Sequence, residues 1–358
     1  MLTQENQNPP NPESNHQETP ETNLQKQPKN HSQNLSNSQQ KAIAQVKGPC
    51  IILAGAGTGK THTIVEKIKH LIETNTYKSN KIVCITFSNE AANNLLTRVR
   101  SQLSIEPEKE PIIRTFHALS SMILKKHGEK IGISKDFQIL EPDEAKILLH
   151  TNLKVEIPLC HRYISALSTA KDLGITKEQI KEYIKIKNPL EENLKEKLES
   201  LQLELHTTYS SLSRERKAEL KQKVKLTKSL HDLEKFITIW TSYEKLKDIK
   251  NLQDYSDLNN NSLELLKKFP DITEEIQYLI VDEFQDTNKI QLEMIFHLAK
   301  NKNITVVGDL NQSIYQFRGA YEENINQFRI HFGITNKEIF NLDKSFRSPN
   351  KNLALAHQ

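Results

Sequence analysis

Cysteine is scarce in this chain: Cys50, Cys84 and Cys160 are the only three in 358 residues. None stands at the spacing of a metal site or a redox pair, so neither a zinc module nor a disulfide scaffold is indicated. Cys50 and Cys84 fall in predicted core strands and read as small buried hydrophobes. No apolar run approaches the roughly 20 residues a membrane span needs. The N-terminus has no basic-then-apolar signal pattern. A soluble, cytoplasmic chain with no membrane partner is therefore expected. Excess charge is also missing: the formal net charge is only +4. That balance permits nucleic-acid binding without arguing for it, so any such path must come from local arrangement. Residues 1–34 have almost no apolar side chains and are rich in Asn, Gln, Pro, Glu and Ser. Such a segment buries too little surface to offset its ordering entropy, and a disordered tail is expected there.

What the chain does have begins at Cys50-Ile51-Ile52-Leu53, a β-forming run that enters Ala54-Gly55-Ala56-Gly57-Thr58-Gly59-Lys60-Thr61. Glycine-rich turns of this kind converge several backbone N–H groups on an oxyanion. Lys60 then reaches the β- and γ-phosphates of a nucleotide. The Thr61 hydroxyl is placed to ligate Mg²⁺, and the following helix directs its N-terminus at the phosphates. The strict pattern has glycine where this chain has Ala54.

A second apolar run, Tyr278-Leu279-Ile280-Val281, ends in Asp282-Glu283. Two adjacent carboxylates at the end of a buried strand suit metal-assisted phosphoryl chemistry. Asp282 would hold Mg²⁺, and Glu283 would orient and deprotonate the attacking water. The strand alone is a weak signal, because acidic residues often end strands; together with the glycine-rich loop it is strong.

The order of elements predicts an α/β fold in which a parallel sheet is interrupted by helices. Ordered structure is expected from a capped helix start near Leu35. Residues 35–117 form the first part of the sheet domain and 118–268 an inserted all-helical domain. Residues 269–335 return to the sheet, and 336–358 begin a second, incomplete domain of the same kind. Dense Lys and Glu over 176–235 read as a solvated helical surface, with DNA contact as the minority reading. Trp240, spaced helically with Phe236 and Tyr243, reads as core.

Further motifs follow in a fixed order: Gln39, AGAGTGKT at 54–61, TFSNEAA at 86–92, TFHAL at 115–119, DEFQDTN at 282–288, GDLNQSIYQFRGA at 308–320 and LDKSFRS at 342–348. With these seven elements the chain resembles the UvrD/Rep/PcrA family of superfamily 1 DNA helicases, from about Leu35 to its last residues. The resemblance implies a RecA-like ATP-binding fold and an ATP-dependent 3′–5′ DNA helicase acting on single strands and duplex junctions. It implies that Gln39 reads the adenine edge. Gln312 would sense the γ-phosphate or its water, and Arg347 would stabilise charge on that phosphate from a second motor domain. Thr86, Phe87, Asn89, Thr115, Phe116 and His117 would line the single-strand path, and Phe317 would stack on a base.

The chain departs from the family pattern in several places. His62 follows Thr61 where arginine is usual, and Glu90 stands where lysine is frequent. Phe346 replaces the adenine-stacking tyrosine, keeping the ring without its hydroxyl. Asp309-Leu310-Asn311 is poorer in aspartate than the usual run before Gln312. Asp254-Tyr255-Ser256-Asp257 is similar to the family's Asp-Phe-x-Asp segment, with a solvated acidic turn as the equal alternative. The family's later motifs are not in these 358 residues, which leaves two expectations open: a piece of a longer protein, or a shortened product with weak ATP turnover and no unwinding. Two other classes also remain open at this point, an ATP-regulated single-strand-binding module and the motor part of a helicase–nuclease subunit.

Overall fold

The structure, a computed structural model, describes residues 35–55, 57–103, 105–190, 192–208, 211–309 and 324–342. Gln312, Phe317, Phe346, Arg347 and Ala56, and the tail expected at 1–34, lie outside these residues.

Helix α1 (Asn37–Ala44) starts on a capping box: Ser36 Oγ accepts the Gln39 N–H, and Gln39 Oε1 accepts the Ser36 N–H. Then follow β1 (Pro49–Ala54), α2 (Lys60–Glu73), β2 (Ile82–Thr86), α3 (Asn89–Gln102), β3 (Ile112–Thr115) and α4 (Phe116–His127). The middle of the chain holds β4 (Gln138–Ile139), α5 (Pro142–Leu153), α6 (Ile157–Asp172), α7 (Lys177–Lys187), α8 (Leu194–Thr208), the 37-residue α9 (Arg214–Lys250), β5 (Leu252–Gln253) and α10 (Tyr255–Lys268). It closes with β6 (Tyr278–Val281), α11 (Lys289–Leu298), β7 (Ile304–Gly308), α12 (Asn324–Phe332) and β8 (Ile339–Leu342).

Six strands form one wholly parallel sheet in the order β3-β2-β6-β7-β1-β8. Both faces are covered, which explains the near-continuous apolar strands. Successive side chains alternate between faces. Ile51, Val83, Leu279, Val281 and Val306 pack with α4, α10, α11 and α12. Cys50, Ile52, Cys84, Ile280 and Val307 pack with α1, α2 and α3. Cys50 and Cys84 are buried free thiols, as the strand reading expects. No described helix is long and apolar enough to cross a membrane.

Two domain boundaries move. The insertion, expected at 118–268, is narrower: Leu119, Ile123 and Leu124 of α4 and Leu258, Leu265 and Leu266 of α10 belong to the core on the sheet. A separate core joins α5, α6 and α9 through Leu149, Leu167, Trp240 and Tyr243, and a smaller one joins α7, α8 and α9. The parallel pair β4–β5 ties the chain together where it leaves and re-enters the sheet domain. Trp240 and Tyr243 are core, as their spacing suggests. The second shift concerns 336–358. Ile339–Leu342 pairs with Ile51–Ala54 of β1 and so completes the first sheet instead of starting another. The short run Ile-Phe-Asn-Leu carries no mark of which sheet it joins; Leu342 is buried beside β1 and supplies the reason.

Candidate functional site

Among the described residues, the phosphate loop, Thr86-Phe87, Thr115-Phe116-His117 and Asp282-Glu283 stand at the carboxyl ends of the parallel strands, where α/β sheets place their ligand crevices. Ala54 is the last residue of β1 and lies in extended conformation paired with Leu342, so the missing glycine costs nothing there. The loop needs glycine at Gly57 (φ 76°) and Gly59 (φ 84°), both left-handed. Gly55 is not left-handed; a side chain there would face the Asp309 carboxylate at 3.9 Å. Thr58 closes the turn by donating from Oγ1 to the Gly55 carbonyl at 2.8 Å. Gly59 caps α2, which places Lys60, Thr61 and His62 in the first helical turn.

From the far end of the sequence, β6 delivers Asp282 and Glu283 to the same edge. Lys60 Nζ donates to both carboxylate oxygens of Glu283, at 3.0 and 2.8 Å. This contact joins residues 223 positions apart. The Glu283 backbone is left-handed (φ 49°, ψ 45°), an uncommon conformation for a non-glycine residue and one found where a side chain must be aimed. Its N–H donates to Asp282 Oδ1 at 2.9 Å. Burial, reinforced by the neighbouring Glu283, pushes the Asp282 carboxyl up to about 7. The same two causes raise Asp286 to about 6. Asp286 Oδ1 is buried with no hydrogen-bond partner among the described residues. Carboxylates held above their ordinary range, one with an orphaned oxygen, are suited to receive a cation.

Gln39 is almost fully buried. Its Nε2 donates to Thr63 Oγ1 at 3.0 Å and to the Thr58 carbonyl at 3.4 Å. The amide expected to read adenine thus also braces the phosphate loop. Beneath it, the fully buried Lys67 donates to the Ala42 and Gln45 carbonyls at 2.7 and 2.8 Å, which anchors the end of α1 on α2. Burial lowers the Lys67 pKa to about 8.

Five of the expected strand-path residues, Thr86, Phe87, Thr115, Phe116 and His117, line one cavity of about 250 Å³. Asp282, Glu283 and Asp286 form its other wall. Asn89 is not part of this lining; it is exposed at the start of α3. Phe87 is 40% exposed and presents a ring for stacking. Thr86 and Thr115 are buried, with their hydroxyls engaged locally: Thr86 donates to the Ser88 carbonyl, and Thr115 caps α4. Phe116 packs into the sheet core. His117 tilts against Tyr255 with ring centroids 5.0 Å apart, and burial lowers its pKa. Glu90 lies in the first turn of α3, where a carboxylate suits the helix dipole.

Two groups escaped the sequence reading. Asp172, the last residue of α6, lines the same cavity. Gln285 bridges the ends of β6 and β7 through its amide. Gln285 stands inside DEFQDTN, so its place was marked though its contacts were not. Asp172 has no motif to reveal it.

A family model for the UvrD/REP helicase N-terminal domain matches residues 35–333. The ATP-dependent DNA helicase Rep of Buchnera aphidicola from Acyrthosiphon pisum is 32% identical over 329 residues, covering 90% of this chain and 44% of that protein. PcrA of Staphylococcus epidermidis is 29% identical, covering 91% and 40%. The srs2 helicase of Schizosaccharomyces pombe is 29% identical, covering 85% and 32%. The chain therefore spans less than half the length of these curated relatives.

Proposed function

Because the chain belongs to the UvrD/REP helicase family, in its N-terminal domain, we propose that it is the ATP-binding and hydrolysing part of a 3′–5′ DNA helicase. Its nucleic-acid partners would be single-stranded DNA and duplex junctions, in the cytoplasm. The observation that carries the reading is the convergence of Lys60 and Glu283 at the carboxyl edge of the sheet, 2.8 Å apart across 223 residues. Thr61 and Asp282 would hold Mg²⁺, which supplies charge neutralisation between the phosphates.

Lys60 binds Glu283 with both of its carboxylate oxygens occupied. A triphosphate offers the ammonium a stronger, multiply charged partner. Transfer of Lys60 to the β- and γ-phosphates frees Glu283, which then takes a proton from the attacking water. The base is thereby released only when substrate is bound. Left-handed Gly57 and Gly59 shape the loop that turns backbone N–H groups toward the phosphates. Gln39 reads the adenine edge by exchanging one of its Nε2 bonds, to the Thr58 carbonyl or to Thr63 Oγ1, for one to the base. Gln312, Arg347 and Phe346 would complete the γ-phosphate and adenine contacts. Phe87, Asn89 and Phe317, with the rim of the cavity at Thr86, Thr115, Phe116 and His117, would meet the strand.

Nucleotide-dependent stabilisation tests the reading. ATP with Mg²⁺ should raise the melting temperature of the wild-type chain and not that of Lys60→Ala, whose circular dichroism should be unchanged. Equal shifts for both proteins would overturn the assignment of the loop.

A further inference from the structure

Gln285 makes no contact that the reaction requires of it, yet its amide is fully committed. It lies in the short 3-10 turn Phe284–Asp286 just beyond β6 and is buried. Its Oε1 accepts the Asp309 N–H at 3.0 Å. Its Nε2 donates to Glu283 Oε2 at 2.9 Å and to Asp286 Oδ2 at 3.2 Å. One planar group therefore joins the base carboxylate to the first residue beyond β7.

Gly308 supplies independent support. It is not among the positive-φ glycines, so backbone conformation does not demand glycine there. A Cβ at that position would come within 2.8 Å of Gln285 Oε1. A side chain at Gly308 would have to displace the Gln285 amide. The end of β7 and the turn after β6 are thus fitted to each other around this one side chain.

We propose that Gln285 is a positioning residue that fixes the rotamer of Glu283 and couples it to Asp309 at the end of β7. Glu283 Oε2 is shared by Lys60 and Gln285, whereas among the described residues Oε1 is held by Lys60 alone. When Lys60 turns to phosphate, Gln285 keeps Oε2 and leaves Oε1 as the oxygen that accepts the water proton. Displacement of Asp309 pulls on the same amide and is felt at the base. The Asp309 carboxylate also faces Gly55 of the phosphate loop, which places this link against the nucleotide.

The inference rests on the reading of Glu283 as the base, and its test separates the two. Four proteins are compared: wild type, Gln285→Met, Gln285→Glu and Gly308→Ala. Exchange of the Asp309 amide hydrogen, followed by NMR without nucleotide, reads one end of the bridge. Protection should fall in Gln285→Met and in Gly308→Ala, and persist in Gln285→Glu, whose carboxylate still accepts. Single-turnover hydrolysis with excess protein reads the other end. All three variants should turn over about 10- to 100-fold more slowly, the range seen when a group that orients a reacting ligand is lost. Affinity for a fluorescent ATP analogue should stay within about twofold of wild type, so the loss lies in the chemical step and not in binding. Gly308→Ala acts without altering Gln285, and of two further proteins, Gln285→Ala and its combination with Gly308→Ala, the second should be no slower than the first. Wild-type protection of the Asp309 amide in Gln285→Met, or a loss of turnover fully explained by weaker binding, would overturn the proposal. Failure of the wild-type chain to bind the analogue would instead overturn the ATP reading.

Discussion

Two regions of this molecule set lysine against several carboxylates, and they do opposite things with them. At the carboxyl edge of the sheet, one ammonium, Lys60, serves three carboxyl groups, of which Asp282 and Asp286 are held above their ordinary range and Asp286 Oδ1 has no partner among the described residues. The backbone at Glu283 is left-handed. At the root of the helical insertion, Lys171 of α6 and Lys247 of α9 face Glu244, Asp254 and Asp257. Lys171 reaches Glu244 at 2.7 Å, Asp254 at 3.0 Å and Asp257 at 2.6 Å. Lys247 binds Glu244 at 3.3 Å, Asp254 at 2.9 Å, and Asp257 as well. Asp254 and Asp257 also form the capping box that starts α10. Three acids so close together have the arrangement of a metal site, but two ammonium groups already sit among them. Burial works against the Lys171 charge, yet Asp254, Asp257 and Glu244 outweigh it and hold its pKa well above the ordinary value. Two positive and three negative groups meet there, and burial and the neighbouring Asp254 raise the pKa of Asp257. The root is closed by mutual contacts; among the described residues, the edge has fewer positive groups than carboxylates. That difference marks the edge as the place for an incoming cation and phosphate, and the root as a joint.

The largest expected effect sharpens the comparison from the edge. Glu283→Gln keeps the shape of the side chain and removes the base. Turnover should fall by about 10²–10⁴ while nucleotide still binds, as read by single-turnover hydrolysis beside an equilibrium titration. Glu244→Gln, at the root, should leave turnover within about threefold of wild type. Equal losses would erase the distinction between the two clusters.

A loss of stability comes next. Lys247→Met strips one ammonium from a site that is 2% exposed and leaves buried carboxylates uncompensated. Breaking a buried pair in this way costs about 3–5 kcal/mol, so denaturant unfolding should shift strongly. Lys60→Met, at the more open edge, should cost about 1 kcal/mol or less. If the two midpoints move equally, the root is no more closed than the edge.

The sequence made the edge more legible than the root for a physical reason. Phosphate chemistry constrains residue type and spacing within short segments, so 54–61 and 282–283 announced themselves, and the strand at 278–281 stands where the apolar run predicted. The root is assembled from α6, α9 and α10, and nothing local in Lys171 or Lys247 distinguishes them from the many solvated lysines around them. Asp254 and Asp257 were noticed as a segment, but their lysine partners lie in other helices, and a solvated acidic turn could not be told from a buried one. The placement of β8 failed in the same way. Pairing with β1 is a long-range contact, and four residues of mixed character do not name their neighbour.

The smallest expected effect concerns Asp172, which stands between the two regions. It lines the cavity at the edge and accepts a hydrogen bond from Ser256 of α10 at 3.2 Å. Burial pushes its carboxyl up to about 6, with the Ser256 bond opposing and Asp254 adding to the rise. A raised carboxyl binds its proton more tightly in the folded chain than in the unfolded one. Its contribution is therefore fully present below the ordinary carboxylate value of about 4 and is lost as pH rises to about 6, because the unfolded chain releases the proton first. Asp172→Asn cannot titrate and should lose that slope. Unfolding midpoints at pH 4 and pH 6.5 for both proteins isolate the difference, on the order of 1 kcal/mol once partial exposure is allowed for. If the two proteins change in parallel across this window, Asp172 shares the satisfied character of the root. A difference that vanishes when single-stranded DNA is added would place Asp172 with the edge, because a strand in the cavity would then be holding the carboxyl in one protonation state.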